Sequence, residues 1–121
     1  DYLIFRCGGI MGYDRYVGKY YAGNHYPSAA QVPINYIHQE DIVAAITSAL
    51  TGTIWNKTFN LVAPLHPTRR EAIKKSCEKY QLPLPTFTEN KTDEPFKRVN
   101  GDAFMNAFSY TFIHPDPLAF P

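Results

Sequence analysis

Apolar positions along the chain alternate between short continuous runs and a helical three-to-four spacing, and each change of period predicts an element. Leu3 to Phe5 is a continuous apolar run stopped by Arg6-Cys7-Gly8-Gly9, which reads as a buried strand, central in a sheet, that ends in a glycine turn. From Ile10 to Val32 no period is sustained. That stretch is rich in Gly, Tyr and Asn and reads as a long loop with one helical turn near Arg15 to Tyr20. Pro33 to His38 is a second short strand, with proline at the first position, where its missing N–H is tolerated. Ile42, Val43, Ala45, Ile46, Ala49 and Leu50 then fall on one helical face. Glu40 and Asp41 sit at the positive end of that helix, and Gly52 stops it.

Thr58 to Val62 alternates and is rich in strand formers, giving a third strand ended by Ala63-Pro64. Thr68-Arg69-Arg70-Glu71 is a capping box: the Thr68 hydroxyl accepts an amide hydrogen bond and Glu71 returns one. Ala72, Ile73, Ser76, Cys77 and Tyr80 continue the buried face of this helix until Leu82-Pro83-Leu84-Pro85 breaks the hydrogen-bond ladder. Thr86 to Phe96 is polar and loop-like, Lys97-Arg98-Val99 reads as a short strand, and Asn100 caps a last helix from Asp102 to Phe108. The tail from Tyr110 holds His114-Pro115-Asp116-Pro117, which is neither helix nor central strand. The order predicts an α/β or α+β fold, a small sheet with packed helices, as one domain over residues 1–121.

Charge and composition narrow the function. Twelve basic against eleven acidic residues, with no block of one sign, lack the footprint of a nucleic-acid binder. No apolar run is long enough to span a bilayer and no signal-type leader is visible, so a cytoplasmic protein with no membrane partner is expected. Two cysteines, Cys7 and Cys77, are too few for a disulfide framework and fit a reducing compartment. The sequons at Asn56 and Asn90 carry little weight in that setting. Nine Tyr and eight Phe are more flat apolar surface than so small a core needs, and the chain enters its first strand from Asp1 without an initiator Met. Both features suggest a piece of something larger.

Among polar candidates, Arg15 and Lys19 beside Tyr13, Tyr16 and Tyr20 read as a clamp for an anionic or sugar substrate, and Arg70 or Arg98 as a phosphate contact. His38 is read as holding the strand-to-helix turn and Asp41 as charging the helix start. His25, His38, His66 and His114 are scattered without ligand-type spacing, so no metal site is read.

Four segments carry a family resemblance. They are Phe5-Arg6-Cys7-Gly8-Gly9-Ile10-Met11-Gly12-Tyr13-Asp14-Arg15; Ile34 to Ile46 with its apolar-His-x-x-Asp-apolar-apolar-Ala pattern; Phe59-Asn60-Leu61-Val62-Ala63-Pro64 with the capped helix after it; and Lys97-Arg98-Val99-Asn100. Together they resemble the C-terminal, substrate-side portion of extended short-chain dehydrogenase/reductases of the NAD(P)-dependent epimerase/dehydratase type. The second block is the specific one. Gly12-Tyr13-Asp14-Arg15 departs from the family turn by lacking its Pro and reversing Tyr and Gly.

The resemblance implies the C-terminal lobe of a Rossmann-type enzyme. It places Cys7, Gly8 and Gly9 against the nicotinamide end of NAD or NADP, and Arg15, Tyr13, Tyr16, Lys19 and Arg70 toward a small-molecule substrate such as a nucleotide sugar. The family's G-x-G-x-x-G turn is missing, and no tyrosine is followed four residues later by lysine. The chain is therefore expected to carry no catalytic residue, to hold no dinucleotide tightly by itself, and to choose substrate in a longer parent. A lobe of this kind exposes a strand edge and an apolar face, from which a homodimer or swapped assembly through Leu3 to Phe5 and the aromatic loop is expected. The alternative is a stand-alone, non-catalytic module that binds a metabolite or a protein.

Overall fold

A computed structural model describes residues 1–89 and 94–121. Its strands are β1 (Leu3–Cys7), β2 (Gly9–Met11), β3 (His25–Tyr26), β4 (Tyr36–His38), β5 (Lys57–Leu61) and β6 (Thr86–Phe87). Its helices are α1 (Gly18–Tyr21), α2 (Gln39–Thr51), α3 (Arg69–Lys79) and α4 (Asp102–Phe108), followed by a 3-10 turn at Pro117–Ala119. The sequon at Asn90 lies outside the described residues.

All three strand pairings are parallel: β1 with β5, β2 with β4, and β3 with β6. β1 and β2 are one run that changes partner at Gly8. Cys7 is opposite Leu61, the Gly8 N–H still bonds Leu61 O (3.0 Å), and the Gly9 N–H turns to Asn35 O (2.7 Å). On the far side of β4, the Ala63 N–H bonds Tyr36 O (2.8 Å). The chains leaving β1 and β5 therefore splay apart, and β4 wedges between them. A Cβ at Gly8 would lie 2.5 Å from Asn35 O and 2.9 Å from Val62 Cγ2, so the partner change requires glycine.

Two cores flank this sheet. One gathers Val17, Tyr26, Ile34, Ala72, Ile73 and Cys77 between α1, α3 and the intervening loop. The other packs Ile37, Ala45, Phe59, Leu61, Phe104 and Phe112 between the strands, α2, α4 and the tail. Phe104 has no solvent exposure and meets Phe5, Phe59, Phe108 and Tyr110 at centroid separations of 5.0 to 6.1 Å.

Several expectations need correction. β1 is an edge strand covered on one side: Leu3 and Phe5 pack inward while Ile4 is 48% exposed. A three-residue apolar run does not say which of its side chains alternate outward. In α2 only Ala45 and Ala49 of the apolar stripe are buried, whereas Val43, Ile46 and Leu50 are 63%, 45% and 72% exposed. Lys97 to Val99 is not a strand, because the Asn35 side chain takes its hydrogen bonds, donating to Lys97 O (2.7 Å) and accepting from Val99 N (2.8 Å). The region read as a loop with one helical turn carries that turn as α1 and also holds β2 and β3, and β6 emerges in the polar stretch after α3. Asn100 accepts the Asp102 N–H (2.7 Å) from one residue before the cap position, which Gly101 occupies.

The α3 cap is as the sequence predicts. Thr68 Oγ1 accepts the Glu71 N–H (3.2 Å), and Glu71 Oε2 accepts the Thr68 N–H (2.8 Å). The Thr68 N–H and the Thr68 hydroxyl, which also donates to Glu71 Oε2 (2.8 Å), hold the Glu71 carboxyl below its ordinary value. A depressed folded value means the contribution is present above the unfolded value of 4.5 and is lost as pH falls through the folded one. Thr68→Ala is expected to lower stability by about 1 kcal/mol. The gap between wild type and Glu71→Gln in urea unfolding should shrink as the pH is taken from neutral into the acid range.

Candidate functional site

Beside the partner change, where β2 and β4 begin at Gly9 and Tyr36, the loop after α1 and the first turn of α3 leave a cleft. Its volume is about 510 Å³, within the range of small-molecule sites, and Gly9, Tyr21, Tyr26, Asn35, Tyr36 and Arg69 contribute to its walls. Arg69 comes from the first turn of α3. Its Nη1 donates to Tyr26 Oη (2.7 Å), and Tyr26 meets Tyr21 edge-to-face at 4.9 Å, so guanidinium and phenols brace one another. Burial pushes the Tyr36 phenol up to about 12, which keeps it a neutral hydrogen-bonding group. The wall therefore combines flat apolar faces with one fixed cation and several neutral donors. That chemistry suits a polyhydroxylated or phosphorylated molecule.

Of the residues read from the sequence, Gly9 alone lines this cleft. Gly8 and Gly9 are required by the chain's own packing, the Gly9 Cβ position being 2.8 Å from the Tyr36 ring. Cys7 is exposed at the end of β1, its thiol pushed up by partial desolvation. Arg15 and Tyr16 border a different cavity, under α3 and the tail, of only about 40 Å³, and Tyr16 is stacked on Tyr80 at 3.9 Å. That space suits a water and not a sugar. Lys19 Nζ donates to Asp14 O (3.2 Å), and the Tyr13 hydroxyl donates to Glu40 Oε1 (2.5 Å). Arg70 is occupied by Glu89 (3.1 Å) and the face of Phe87 (4.7 Å). Its neighbour Arg69 is the cation of the cleft. The capping box was the available signal, since it fixes the helix start and puts Arg69 on the stripe of Ala72, Ile73 and Ser76.

A second polar group gathers at the start of α2. His38 is fully buried and its Nδ1 accepts the Glu40 N–H (3.3 Å), which holds the strand-to-helix turn. Desolvation pushes the His38 ring below its ordinary value, so it is the free base at neutral pH. Asp41, also fully buried, does more than charge the helix start: it accepts the Tyr110 hydroxyl (2.7 Å) and the Ile113 and His114 amides (2.8 and 3.0 Å), fastening the tail. His114 Nε2 in turn meets Glu40 Oε2, and these bonds with Tyr13 hold the Glu40 carboxyl below its ordinary value. Ring nitrogens of His38 and His114 and a Glu40 oxygen lie within 4.8 Å of one another, although the histidines are far apart in sequence.

No helix among the described residues is long and apolar enough to cross a membrane. No family model matches the chain. It is 29% identical over 118 residues to Protein YeeZ of Escherichia coli, in strain K12 and in O157:H7, an alignment covering 98% of this chain and 43% of the relative. The chain thus spans less than half the length of the curated relatives it matches. Among solved structures it superposes on a functionally unknown conserved protein from Silicibacter pomeroyi DSS with a TM-score of 0.78 and 20% identity, over 96% of this chain and 45% of that one. It also superposes on RMD from Pseudomonas aeruginosa, solved with NADPH, with a TM-score of 0.64 and 15% identity, over 88% and 41% of the two chains. The fold is an α/β lobe of Rossmann-like kind, shared with part of a protein that was solved with NADPH bound.

Proposed function

We propose that the chain is the substrate-side lobe of an NAD(P)-dependent nucleotide-sugar epimerase, dehydratase or reductase, and that a further segment supplies the dinucleotide site and the groups that act on hydride and proton. The observation that carries this reading is the cleft just past Gly8, where parallel β2 and β4 begin, with Arg69, Tyr26 and Tyr36 on its wall. Two further features support it. The sequence has no glycine-rich strand-to-helix turn for a pyrophosphate, and Ile4, Val43, Ile46 and Leu50 leave apolar surface open, as a lobe built against another would.

In this reading NAD or NADP supplies the hydride chemistry when bound to the completed protein. The residues of this chain do simpler work. Gly9 borders the cleft, Arg69 binds the anionic or hydroxyl-rich part of the substrate, and the tyrosine faces exclude water from it. The cytoplasm as compartment and a homodimer through the exposed apolar surface belong to the same reading.

The polypeptide that carries this chain should be stabilised in a thermal-shift assay by at least one member of a panel of nucleoside-diphosphate sugars. Arg69→Ala should weaken that binding about tenfold or more, the worth of a charge-assisted hydrogen bond, whereas Arg70→Ala should leave it within about twofold. A panel with no stabilising member, or equal losses from the two arginines, would count against the cleft as substrate site.

A further inference from the structure

We propose that His38, Glu40 and His114 form a binding site for a divalent transition-metal cation of the zinc type, separate from the Gly9 cleft and independent of the function proposed for it. Two imidazoles and a carboxylate are a donor set that zinc, cobalt and nickel accept, with the remaining position left to solvent. Their ligand atoms lie within 4.8 Å of one another, and His38 Nδ1 is 3.9 Å from Glu40 Oε2. A cation about 2.1 Å from each ligand needs them about 3.4 Å apart. His38 and Glu40 must close by a fraction of an ångström and the Glu40–His114 contact must open, which side-chain torsions alone can supply. The cation would stand between Glu40 Oε2 and His114 Nε2, which now meet directly.

The three ligands come from the end of β4, the first turn of α2 and the tail, and each is already placed. His38 is locked by complete burial, with its ring between those of Tyr13 and His114 at 5.4 and 4.3 Å. The Glu40 carboxylate is oriented through its other oxygen by the Tyr13 hydroxyl, as carboxylate ligands are by outer-shell donors. His114 is positioned through its own backbone N–H by buried Asp41. His38 Nε2 is buried with no partner, and Nδ1 accepts the Glu40 amide across a long 3.3 Å. That contact selects the tautomer with the proton on Nε2, which ligation through Nδ1 requires, and the cation would replace the amide as the partner of Nδ1. The Glu40 side chain is 38% exposed and that of His114 17%, so a cation can enter from solvent.

The test is a titration of the full chain, stripped of metal by chelator and dialysis, with Co2+. Cobalt in a tetrahedral imidazole–carboxylate site absorbs strongly in the visible, where the aqueous ion barely does. One equivalent should bind and be displaced by Zn2+. Glu40→Gln, which preserves side-chain shape, and His114→Ala should each weaken binding about tenfold or more. His25→Ala should not change it. Far-UV circular dichroism establishes that each variant is folded, and Glu40→Gln decides the matter if loss of His114 loosens the tail. No cobalt band at large excess would overturn the proposal, as would a band of equal affinity in wild type and Glu40→Gln. The cluster would then be a hydrogen-bonded clasp on the tail and nothing more.

Discussion

Phe104→Ala is expected to destabilise the chain by about 3–5 kcal/mol, the range for removing a buried aromatic side chain from a packed core. Phe104 has no exposed surface and touches β1 through Phe5, β5 through Phe59, its own helix through Phe108 and the tail through Tyr110. Through this ring α4, the β1–β5 pair and the tail meet, so the cavity it leaves cannot be filled by local collapse. A domain of this size is stabilised by roughly 5–15 kcal/mol in all, so the variant should be marginal at room temperature. Urea unfolding measures this directly. A loss below about 1 kcal/mol would mean that the four contacts are not made in solution.

Asp41→Asn should cost about 3 kcal/mol, although it changes neither size nor shape. The buried side chain accepts three hydrogen bonds, from the Tyr110 hydroxyl and from the Ile113 and His114 amides. An amide offers one acceptor oxygen and sets an NH2 against a donor, so at least one buried donor loses its partner. The penalty is local as well as global. Hydrogen exchange at Ile113 and His114 should speed up beyond what the overall loss of stability explains, because the tail is fastened there. The bond with Asp41 also raises the Tyr110 phenol, with burial the larger cause, and removing the carboxylate should bring the phenol back toward its ordinary value. Unchanged exchange at those amides would contradict the assignment.

The parts of the fold legible in the sequence are those set by local chemistry. The Thr68–Glu71 box fixes the start of α3 because capping is an interaction over three residues. The span of α2 follows from Glu40, Asp41 and Gly52, and that of α4 from the Asn100 region. What escaped depends on groups far apart in the chain. The two-residue pairing of His25–Tyr26 with Thr86–Phe87 has no period to detect, and Lys97 to Val99 yields its hydrogen bonds to Asn35. The outward turn of Val43, Ile46 and Leu50 could not be separated from the buried Ala45 and Ala49, since all five share the helical spacing.

The candidate site divides along the same line. Of the glycines after β1 only Gly9 borders the cleft, and the bonds and close contacts that require both run to Asn35, Leu61 and Tyr36 within the chain. The sequence points to Arg70 and passes over Arg69, because the Phe87 and Glu89 that occupy Arg70 lie far from it in sequence. His114 is 74 residues from Glu40, so spacing rules for metal ligands could not bring them together.

If this lobe borders a dinucleotide site completed elsewhere in the polypeptide, NADPH and NADH should bind only where both parts are present. Quenching of protein fluorescence, with either dinucleotide titrated into the 121-residue chain and into the whole polypeptide its gene encodes, separates the cases. Saturable binding by the whole polypeptide and none by the 121-residue chain is expected. The same behaviour from both, whether binding or its absence, would rule the shared site out.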